Sequence, residues 1–375
     1  MSGSPLSGDT AATLTIDLEA LAANWRRLRD LAEPAECAAV VKADAYGIGL
    51  AEAGRALAEA GCRTFFVAHL AEGARLRAAA PDSTIYILNG LPPGAGRRFL
   101  EEDLRPILGS GDEVREWAAF AAGNGRDLPA AWHVDTGMNR LGLGAGEAEA
   151  LAGEAGLPRP ALLMSHLVTA ERPDDPTNAR QVERFARLCA AFPGVPASLA
   201  NSSGIFLPSR PHHDLVRPGY ALYGGNPTPG RANPMQPVVR LEAGIIQTRQ
   251  VSPGERAGYN GRWTARGARR LATLSLGYAD GYLRSASTTD HSQAEHRPTG
   301  AALVAGRLCP VVGSISMDLT ILDVTDAPRA ERGDLAVLIG DELTVDEVGR
   351  RAGTIGYEVL TSLGRRYARR YIGGR

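Results

Sequence analysis

Eight short apolar runs alternate with amphipathic stretches between residues 37 and 216 of this chain. The runs are Cys37–Val41, Thr64–Ala68, Thr84–Leu88, Arg105–Leu108, Ala131–Val134, Ala161–Ser165, Ala197–Ala200 and Asp214–Val216. Most are separated by helical patterns such as Ala179–Phe192, in which Val182, Phe185 and Leu188 share one stripe. Strands that alternate with helices are typical of a parallel sheet, and eight of them predict a (β/α)8 TIM-like barrel.

Two further patterns mark where this barrel begins and ends. Asp17 is the predicted N-cap of a helix whose apolar residues recur every three or four positions. These residues are Leu18, Leu21, Trp25 and Leu28. The proline- and glycine-rich segment 226–237 predicts a domain boundary, so the barrel is assigned to residues 17–236. A doubly wound open sheet is the alternative, but the glycine-rich phosphate turn it normally carries after its first strand is absent.

After residue 237 the pattern becomes that of short strands separated by turns. The candidates are Val238–Ile246, Gln247–Val251, Arg270–Leu276, Ala302–Val304, Pro310–Val312, Leu319–Val324 and Leu335–Ile339. This spacing predicts a smaller, mostly β C-terminal domain over residues 237–375, with Ser285–Gly300 as an exposed loop. Residues 1–11, rich in glycine and serine, are expected to form a flexible N-terminus.

Composition argues against several classes of partner. The net charge of −1, from 41 basic and 42 acidic residues, does not favour binding to nucleic acid or an anionic membrane. No apolar run approaches membrane-spanning length, and Met1–Ala12 lacks the features of a signal peptide. The four cysteines are scattered without a CxxC pair, which predicts reduced thiols and no metal site. Together these features predict a cytoplasmic protein.

The most informative single residue is Lys42, which ends the first apolar run. The surrounding sequence, AVVKADAYGIG, passes from small apolar residues through the lysine and a tyrosine into two glycines. A lysine at the end of a buried strand is poorly solvated, so its pKa should fall. A neutral amine of this kind forms Schiff bases with aldehydes such as pyridoxal phosphate, whereas most lysines simply emerge into water.

Other polar residues also stand where barrel strands are predicted to end, which is where such barrels place reactive groups. They are His69 after the second run, His166 after the sixth, Asn201 and Ser202 after the seventh, and Arg217 after the eighth. An amine, an imidazole, a hydroxyl and a guanidinium that converge on one barrel mouth suit an anionic aromatic cofactor. Taken alone, His69 is better explained as a structural histidine.

The segment around Lys42 resembles the pyridoxal-phosphate lysine motif of alanine racemases, and the resemblance extends along nearly the whole chain. It implies that pyridoxal 5'-phosphate is bound at Lys42 and that Tyr46 contacts the phosphate. Ile48 departs from the histidine that the family commonly has at this position, a change expected to matter little.

The segment LVRPGYALYG, residues 215–224, extends the resemblance. It implies that Arg217 lies against the pyridine nitrogen. Because a guanidinium cannot protonate that nitrogen, the ring is a weaker electron sink, which favours reprotonation at Cα and suits racemisation. The resemblance also implies cofactor contacts from Asn201 and a phosphate site built from Ser202, Gly219 and Tyr220.

The segment HVDTGMNRLGL, residues 133–143, is similar to the K-V-D-T-G-M-x-R-L-G block of the family. It implies that Arg140 binds the substrate carboxylate and the ring hydroxyl. His133 is a departure, because many members carry a lysine there that is carbamylated and braces the arginine. A chloride ion, an aspartate or nothing could take over that role. In MSHLVTA, His166 matches a histidine near the cofactor ring that orients the second base.

The second domain supplies four further matches. Tyr259 in RAGYNGRWTA and Tyr278 in LGYADGY resemble the catalytic and entrance tyrosines of the family. Met317 in GSISMDLT matches a residue whose backbone N–H holds the substrate carboxylate, and Tyr357 in GYEVL matches a phosphate-contacting tyrosine. Because a free tyrosine has a pKa near 10, Tyr259 needs a cation or a hydrogen-bond partner to act as a base, and His166 is the candidate.

The resemblance as a whole implies an alanine racemase that works with two bases, Lys42 on one face of the substrate and Tyr259 on the other. It also implies a head-to-tail homodimer in which Tyr259 and Tyr278 complete the neighbouring subunit's site. The strand 12–16 would join the second domain.

Three alternatives stay open. A racemase with broader specificity, for example for serine, is compatible with the same residues, and a biosynthetic role cannot be told from a catabolic one. A basic-amino-acid decarboxylase would need a carboxylate in place of Arg217 and a cysteine near Met317, where the chain has Ser316. The third alternative is a carrier that binds the cofactor without turnover. Such carriers resemble a lone barrel, so the second domain would then need another function.

Overall fold

The computed structural model describes residues 12–295 and 299–374, which form two compact units. The barrel unit contains Leu21–Ala45 and Gly49–Gln236. The β-rich unit contains residues 12–20, Tyr46–Ile48 and the described residues from Pro237 onward. The predicted flexible segment 1–11 lies outside the described residues, as do residues 296–298 of the predicted loop.

Each of the eight apolar runs supplies one parallel strand of the barrel unit. Their bounds are Glu36–Cys37 with Ala39–Val40, Thr64–Val67, Thr84–Ile87, Arg105–Leu108, Ala131–His133, Leu162–Met164, Ala197–Ser198 and Leu215–Val216. Neighbouring strands pair in sequence order, and the eighth pairs with the first. The Arg217 N–H donates to the Ala200 carbonyl at 2.9 Å and joins the last two strands. The ring is therefore closed, and the predicted (β/α)8 barrel is confirmed.

The helices of this part of the chain follow the predicted alternation, with one exception. They are Leu18–Ala32, Leu50–Ala60, Leu70–Ala79, Gly96–Glu101, Gly111–Gly123, Ala145–Gly153 and Pro176–Ala191. Asp17 caps the first of them, because its Oδ1 accepts the Ala20 N–H at 2.9 Å. The last begins earlier than predicted because Asp175 caps it and Pro176 suits a first turn. Between the seventh and eighth strands the chain makes only a 3-10 turn, Ser203–Phe206.

The β-rich unit is built mainly of strands. They are Ala12–Asp17, Val239–Val251, Arg256–Ala257, Trp263–Thr264, Arg269–Leu274, Ala301–Val304, Arg307–Pro310, Thr320–Asp323, Leu335–Ile339 and Ala368–Ile372. The predicted division into Val238–Ile246 and Gln247–Val251 is wrong, because both belong to one strand whose register shifts between Ile245 and Gln247. The shift lets this strand pair with Ala12–Asp17 before it and with Arg269–Leu274 after it.

Other parts of the β-rich unit also differ from the sequence prediction. The loop predicted over Ser285–Gly300 contains a short helix, Asp290–Ala294, capped by the Thr289 hydroxyl. Two helices, Val345–Arg351 and Gly356–Ser362, have no counterpart in the prediction. The final strand, Ala368–Ile372, pairs in parallel with Ala12–Asp17 and is also new.

The final strand holds the segment Tyr46–Ile48. Arg369 donates to the Gly47 carbonyl and the Tyr371 hydroxyl donates to the Ile48 carbonyl, both at 2.8 Å. A Cβ atom on Gly47 would lie 2.3 Å from the Leu360 carbonyl oxygen, so only glycine fits at this position.

Candidate active site

Side chains from four strand ends meet at one end of the barrel. Lys42 follows the first strand, His133 ends the fifth, His166 follows the sixth and Arg217 follows the eighth. Arg140 comes from the loop after the fifth strand. Lys42, His133, Arg140 and Arg217 all lower the pKa of His166, which indicates that these groups lie near its ring. This arrangement is compatible with the predicted convergence of Lys42, His166 and Arg217 on the barrel mouth, which stays a prediction.

Lys42 is the only lysine in the chain, since the other 40 basic residues are arginines. Burial and the nearby Arg140 lower the pKa of its amine, while Glu72 opposes that shift. The sequence prediction of a lowered pKa is thus supported by its surroundings. A larger fraction of this amine is neutral near pH 7 than in a lysine on the surface, and a neutral amine is the nucleophilic form.

An unusual backbone turn follows Lys42 directly. Ala43, Asp44, Ala45 and Tyr46 all have φ between 52° and 55°, in the left-handed region. Left-handed helical backbone costs about 1–2 kcal/mol for each residue other than glycine. The turn therefore exists only because contacts elsewhere hold it, and a sequence without glycine at these positions carries no local sign of it.

Arg217 is a buried cation whose described hydrogen-bond partners are neutral groups. Only 4% of its surface is exposed, and no described carboxylate forms an ion pair with it. Its guanidinium donates to the Ser198 hydroxyl and to the Ser165 carbonyl, and it lies over the Phe66 ring. Burial lowers its pKa to about 9, so it remains charged at neutral pH. The site thus offers a fixed, positively charged donor that does not release a proton.

The two histidines of the mouth are neutral at physiological pH. Burial, Arg217 and Arg140 lower the pKa of His133 to about 4. Burial and the same two arginines are the main causes that lower the pKa of His166 to about 3. Of the two ways in which His166 was predicted to assist Tyr259, only hydrogen bonding is therefore compatible with its charge state.

The loop after the seventh strand is tied to the loop after the eighth. Ser202 Oγ accepts the N–H groups of Gly219 and Ala221 at 3.0 and 3.2 Å. With both lone pairs used, this hydroxyl keeps only its hydrogen to donate outward. Asn201 instead caps the following 3-10 turn, since its Oδ1 accepts the Gly204 N–H at 2.9 Å. Its contact with a cofactor stays a prediction.

Arg140 stands at the end of a tightly folded loop. The Asp135 carboxylate accepts the N–H groups of Gly137, Met138 and Asn139 at 2.8–2.9 Å and shapes the turn before it. In the described part of the chain, no hydrogen bond or ion pair engages the Arg140 guanidinium. It is therefore available to bind a carboxylate.

The β-rich unit displays three predicted site residues on its surface. Tyr259 is 72% exposed, Met317 54% and Tyr278 41%. The turn of Tyr278 is bound to the segment of Met317, because the Tyr278 N–H donates to the Ser316 carbonyl and the Ala279 N–H to the Met317 carbonyl. Tyr278 and Met317 therefore belong to one rigid patch.

Tyr46 and Tyr357, the two predicted phosphate contacts of the β-rich unit, lie near each other. Their ring centroids are 6.2 Å apart. Burial raises the pKa of Tyr46, so it remains a neutral hydroxyl donor. Tyr357 lies on the helix Gly356–Ser362, which had no counterpart in the sequence prediction.

Several supporting residues escaped the sequence analysis. Ser198 and Ser165 hold Arg217, and Gln181 donates to the His166 carbonyl at 2.9 Å. Such residues carry no motif, because their role depends on partners far along the chain. His69 is 3.5 Å from Asn89 and precedes the helix Leu70–Ala79, in agreement with a structural role.

Two negative findings apply to residues 12–295 and 299–374. None of their helices is both long and apolar enough to cross a bilayer. Their histidine, cysteine and carboxylate side chains form no group of three that could hold a metal ion. All four cysteines, which lie within these ranges, are free thiols.

Two family models match consecutive parts of the chain. Residues 16–227 match the model described as "Alanine racemase, N-terminal domain". Residues 238–371 match the model described as "Alanine racemase, C-terminal domain".

Similar proteins and structures carry the same name. An alanine racemase of Methylobacterium sp. (strain 4-46) is 64% identical over 365 residues, which cover 96% of this chain and 98% of that protein. One from Methylobacterium nodulans (strain LMG 21967 / CNCM I-2342 / ORS 2060) is 62% identical, with 97% and 96% covered. A crystal structure of alanine racemase from Bartonella henselae with covalently bound pyridoxal phosphate is 39% identical, with a TM-score of 0.91 and coverage of 97% of this chain and 100% of that one.

Proposed function

We propose, from the premise that this chain belongs to the alanine racemase family, that it interconverts L- and D-alanine with pyridoxal phosphate as cofactor. The observation that carries the proposal is the pair formed by Lys42 and Arg217. The only lysine of the chain has a lowered pKa, and it shares the barrel mouth with a buried guanidinium that has no described carboxylate partner.

The residues of the barrel mouth fit this cofactor. Lys42 provides an amine for an aldehyde, and the Ser202 hydroxyl has a hydrogen left to donate to a phosphate. Arg217 and Arg140 add positive charge for an anionic group. The proposed contacts are Lys42, Tyr46, His166, Asn201, Ser202, Arg217, Gly219, Tyr220 and Tyr357. When bound, pyridoxal phosphate supplies an electron-withdrawing ring that acidifies the Cα–H bond of the attached amino acid.

The chain itself supplies the proton transfers. Inversion at Cα requires one base to remove a proton on one face and an acid to return one on the other. The Lys42 amine, with its lowered pKa, serves one face. The Tyr259 hydroxyl serves the opposite face, and neutral His166 assists by hydrogen bonding.

Arg140 and Met317 orient the substrate through its carboxylate. The Arg140 guanidinium has no bond to another described residue, which supports this role. Tyr259, Tyr278 and Tyr357 narrow the space for the substrate side chain to about the size of a methyl group. Because one methylene changes binding by only about 1–3 kcal/mol, we expect slow turnover of serine as well.

We infer a homodimer with shared sites in which Tyr259 and Tyr278 complete the partner's barrel mouth. The 72% exposure of Tyr259 supports this inference, because a base must be shielded from water to act with a shifted pKa. Four free cysteines, three of them buried, favour a reducing cytoplasm as the location.

The direct test is incubation of the purified protein with L-alanine while optical rotation is followed. Loss of rotation with alanine conserved supports a racemase, whereas release of carbon dioxide or no change contradicts it. Borohydride should abolish the visible absorbance and leave the reduced cofactor attached to Lys42 as a label. Since the chain has no other lysine, a label on any other peptide contradicts the proposed cofactor site.

A further inference from the structure

The left-handed turn after the first barrel strand is held by a carboxylate from the next barrel helix. Glu72 Oε1 accepts the N–H groups of Ala43 and Asp44 at 2.6 and 3.3 Å. Glu72 Oε2 accepts the N–H groups of Ala68 and His69 at 2.8 and 3.2 Å. One carboxylate therefore connects this turn to the end of the second strand, and both of its oxygens are in use.

Other restraints on the turn act at Asp44 and Ala45. The Ala45 N–H donates to the Val41 carbonyl at 3.0 Å. Asp44 accepts the Leu50 N–H at 3.2 Å and pairs with Arg75 at 2.8 Å, but more than half of the Arg75 side chain is exposed. Exposed ion pairs contribute little. Glu72 differs from these restraints because its carboxylate accepts the N–H groups of the first two left-handed residues, Ala43 and Asp44.

A second glutamate of the barrel makes the same kind of connection between the ends of two later strands. Glu113 Oε1 accepts the Leu91 N–H at 2.9 Å and its Oε2 accepts the Gly109 N–H at 2.7 Å. It thus joins the loop after the third strand to the end of the fourth. Glu113 does not hold the turn that follows Lys42. Its variants therefore serve as a control for the loss of a loop-connecting carboxylate elsewhere in the barrel.

We propose that Glu72 is a positioning residue that holds the left-handed turn and thereby fixes the Lys42 amine at the barrel mouth. The inference rests on the proposed function, because it takes Lys42 as the site of cofactor attachment. Without the carboxylate, the Ala43 and Asp44 N–H groups lose their acceptor, and a left-handed backbone without support relaxes toward ordinary conformations. Because Lys42 directly precedes the turn, its side chain would then change direction.

The test compares Glu72→Ala and Glu72→Gln with Glu113→Ala and Glu113→Gln in the holoenzyme. A glutamine has one acceptor oxygen, so its NH₂ group must face one of the two sets of N–H groups. We expect Glu72→Ala to lower kcat about ten- to a hundred-fold with KM for alanine changed less than about two-fold, because small misplacements of a reacting group are costly. The kcat of Glu72→Gln should lie between those of Glu72→Ala and the wild type. The Glu113 variants should keep the kcat of the wild type.

Two further readouts do not depend on turnover. The visible circular dichroism of bound pyridoxal phosphate reports a fixed orientation, and hydroxylamine reports how readily the cofactor is removed. We expect Glu72→Gln to weaken the dichroism and to speed removal, while Glu113→Gln matches the wild type. These readouts still decide the question if Glu72→Ala does not fold.

Two outcomes would overturn the proposal. One is a Glu72→Gln variant with the kcat and dichroism of the wild type. The other is an equal loss in the Glu113 variants, which would show general destabilisation of the barrel. If the wild type carries the cofactor on Lys42 without racemising alanine, the proposed function fails, but the dichroism and hydroxylamine results still test Glu72.

Discussion

The two units present their candidate site residues in opposite ways. In the barrel unit Arg217 is buried, and Arg217 and Arg140 both lower the pKa of His133 and of His166. In the β-rich unit Tyr259 and Met317 stand largely in solvent. The difference shows that the barrel residues already have an altered electrostatic environment within one chain, whereas Tyr259 does not have a buried one.

The largest expected effect tests the barrel side of this comparison. Lys42→Ala removes the only ε-amine of the chain, so racemisation should fall about 10⁴-fold or more and the borohydride-sensitive absorbance should disappear. Arg115→Ala, which breaks an exposed ion pair with Glu154, is the control and should retain full activity. A Lys42→Ala protein that still shows this absorbance would contradict cofactor attachment at Lys42.

Mixing two inactive variants tests the β-rich side. Lys42→Ala and Tyr259→Phe chains that exchange subunits should recover about a quarter of the wild-type activity, because half of the dimers are hybrids with one complete site each. Activity is measured with time after mixing. If none returns while chromatography shows hybrid dimers, Tyr259 acts in its own chain, and its exposure has no link to a shared site.

A smaller effect compares buried and exposed hydroxyl groups. Ser198 accepts from Arg217 and donates to the Leu215 carbonyl, so Ser198→Ala leaves a buried charged donor and a carbonyl unpaired. We expect the free energy of unfolding to fall by about 3 kcal/mol. Ser316→Ala, at an exposed turn where the hydroxyl donates to Leu319, should change it by less than about 1 kcal/mol. Urea unfolding measures the free energy for both variants. Equal losses would contradict the expected difference between a buried and an exposed hydroxyl.

The smallest effect concerns pH and the buried histidines. His133 and His166 have folded pKa values of about 4 and about 3, below the value of about 6.5 for an unfolded chain. The unfolded state therefore binds more protons below pH 6.5, and stability is lost as pH falls from there toward the folded values. Between pH 7 and pH 5 we expect a loss of about 2 kcal/mol for each histidine. In His133→Gln, the free energy of unfolding measured in urea should depend less on pH. The same pH dependence as in the wild type would contradict the lowered pKa of His133.

Much of the fold was predictable because buried parallel strands appear as short apolar runs. Each of the eight runs became a barrel strand, and Leu335–Ile339 was predicted with its observed bounds. Asp17 marked a helix start because its side chain caps a local backbone group. Signals of this kind need only neighbours in the sequence.

Other features had no such signal. The long strand Val239–Val251 was divided in two because its change of partners at the bulge depends on three other strands. The helix Gly356–Ser362 is too short for a clear period, although it carries Tyr357. The left-handed turn after Lys42 contains no glycine and is held by Glu72, 30 residues further along the chain.

The sequence alone determined that a single lysine would end the first strand of an eight-stranded barrel, because strand order and strand ends follow from local apolar patterns. It also placed Arg217 at the end of the last strand. Only the tertiary structure decided that Arg217 has no described carboxylate partner and that the histidines are neutral. Burial and charge depend on residues brought together from distant strands, and no local pattern contains that information.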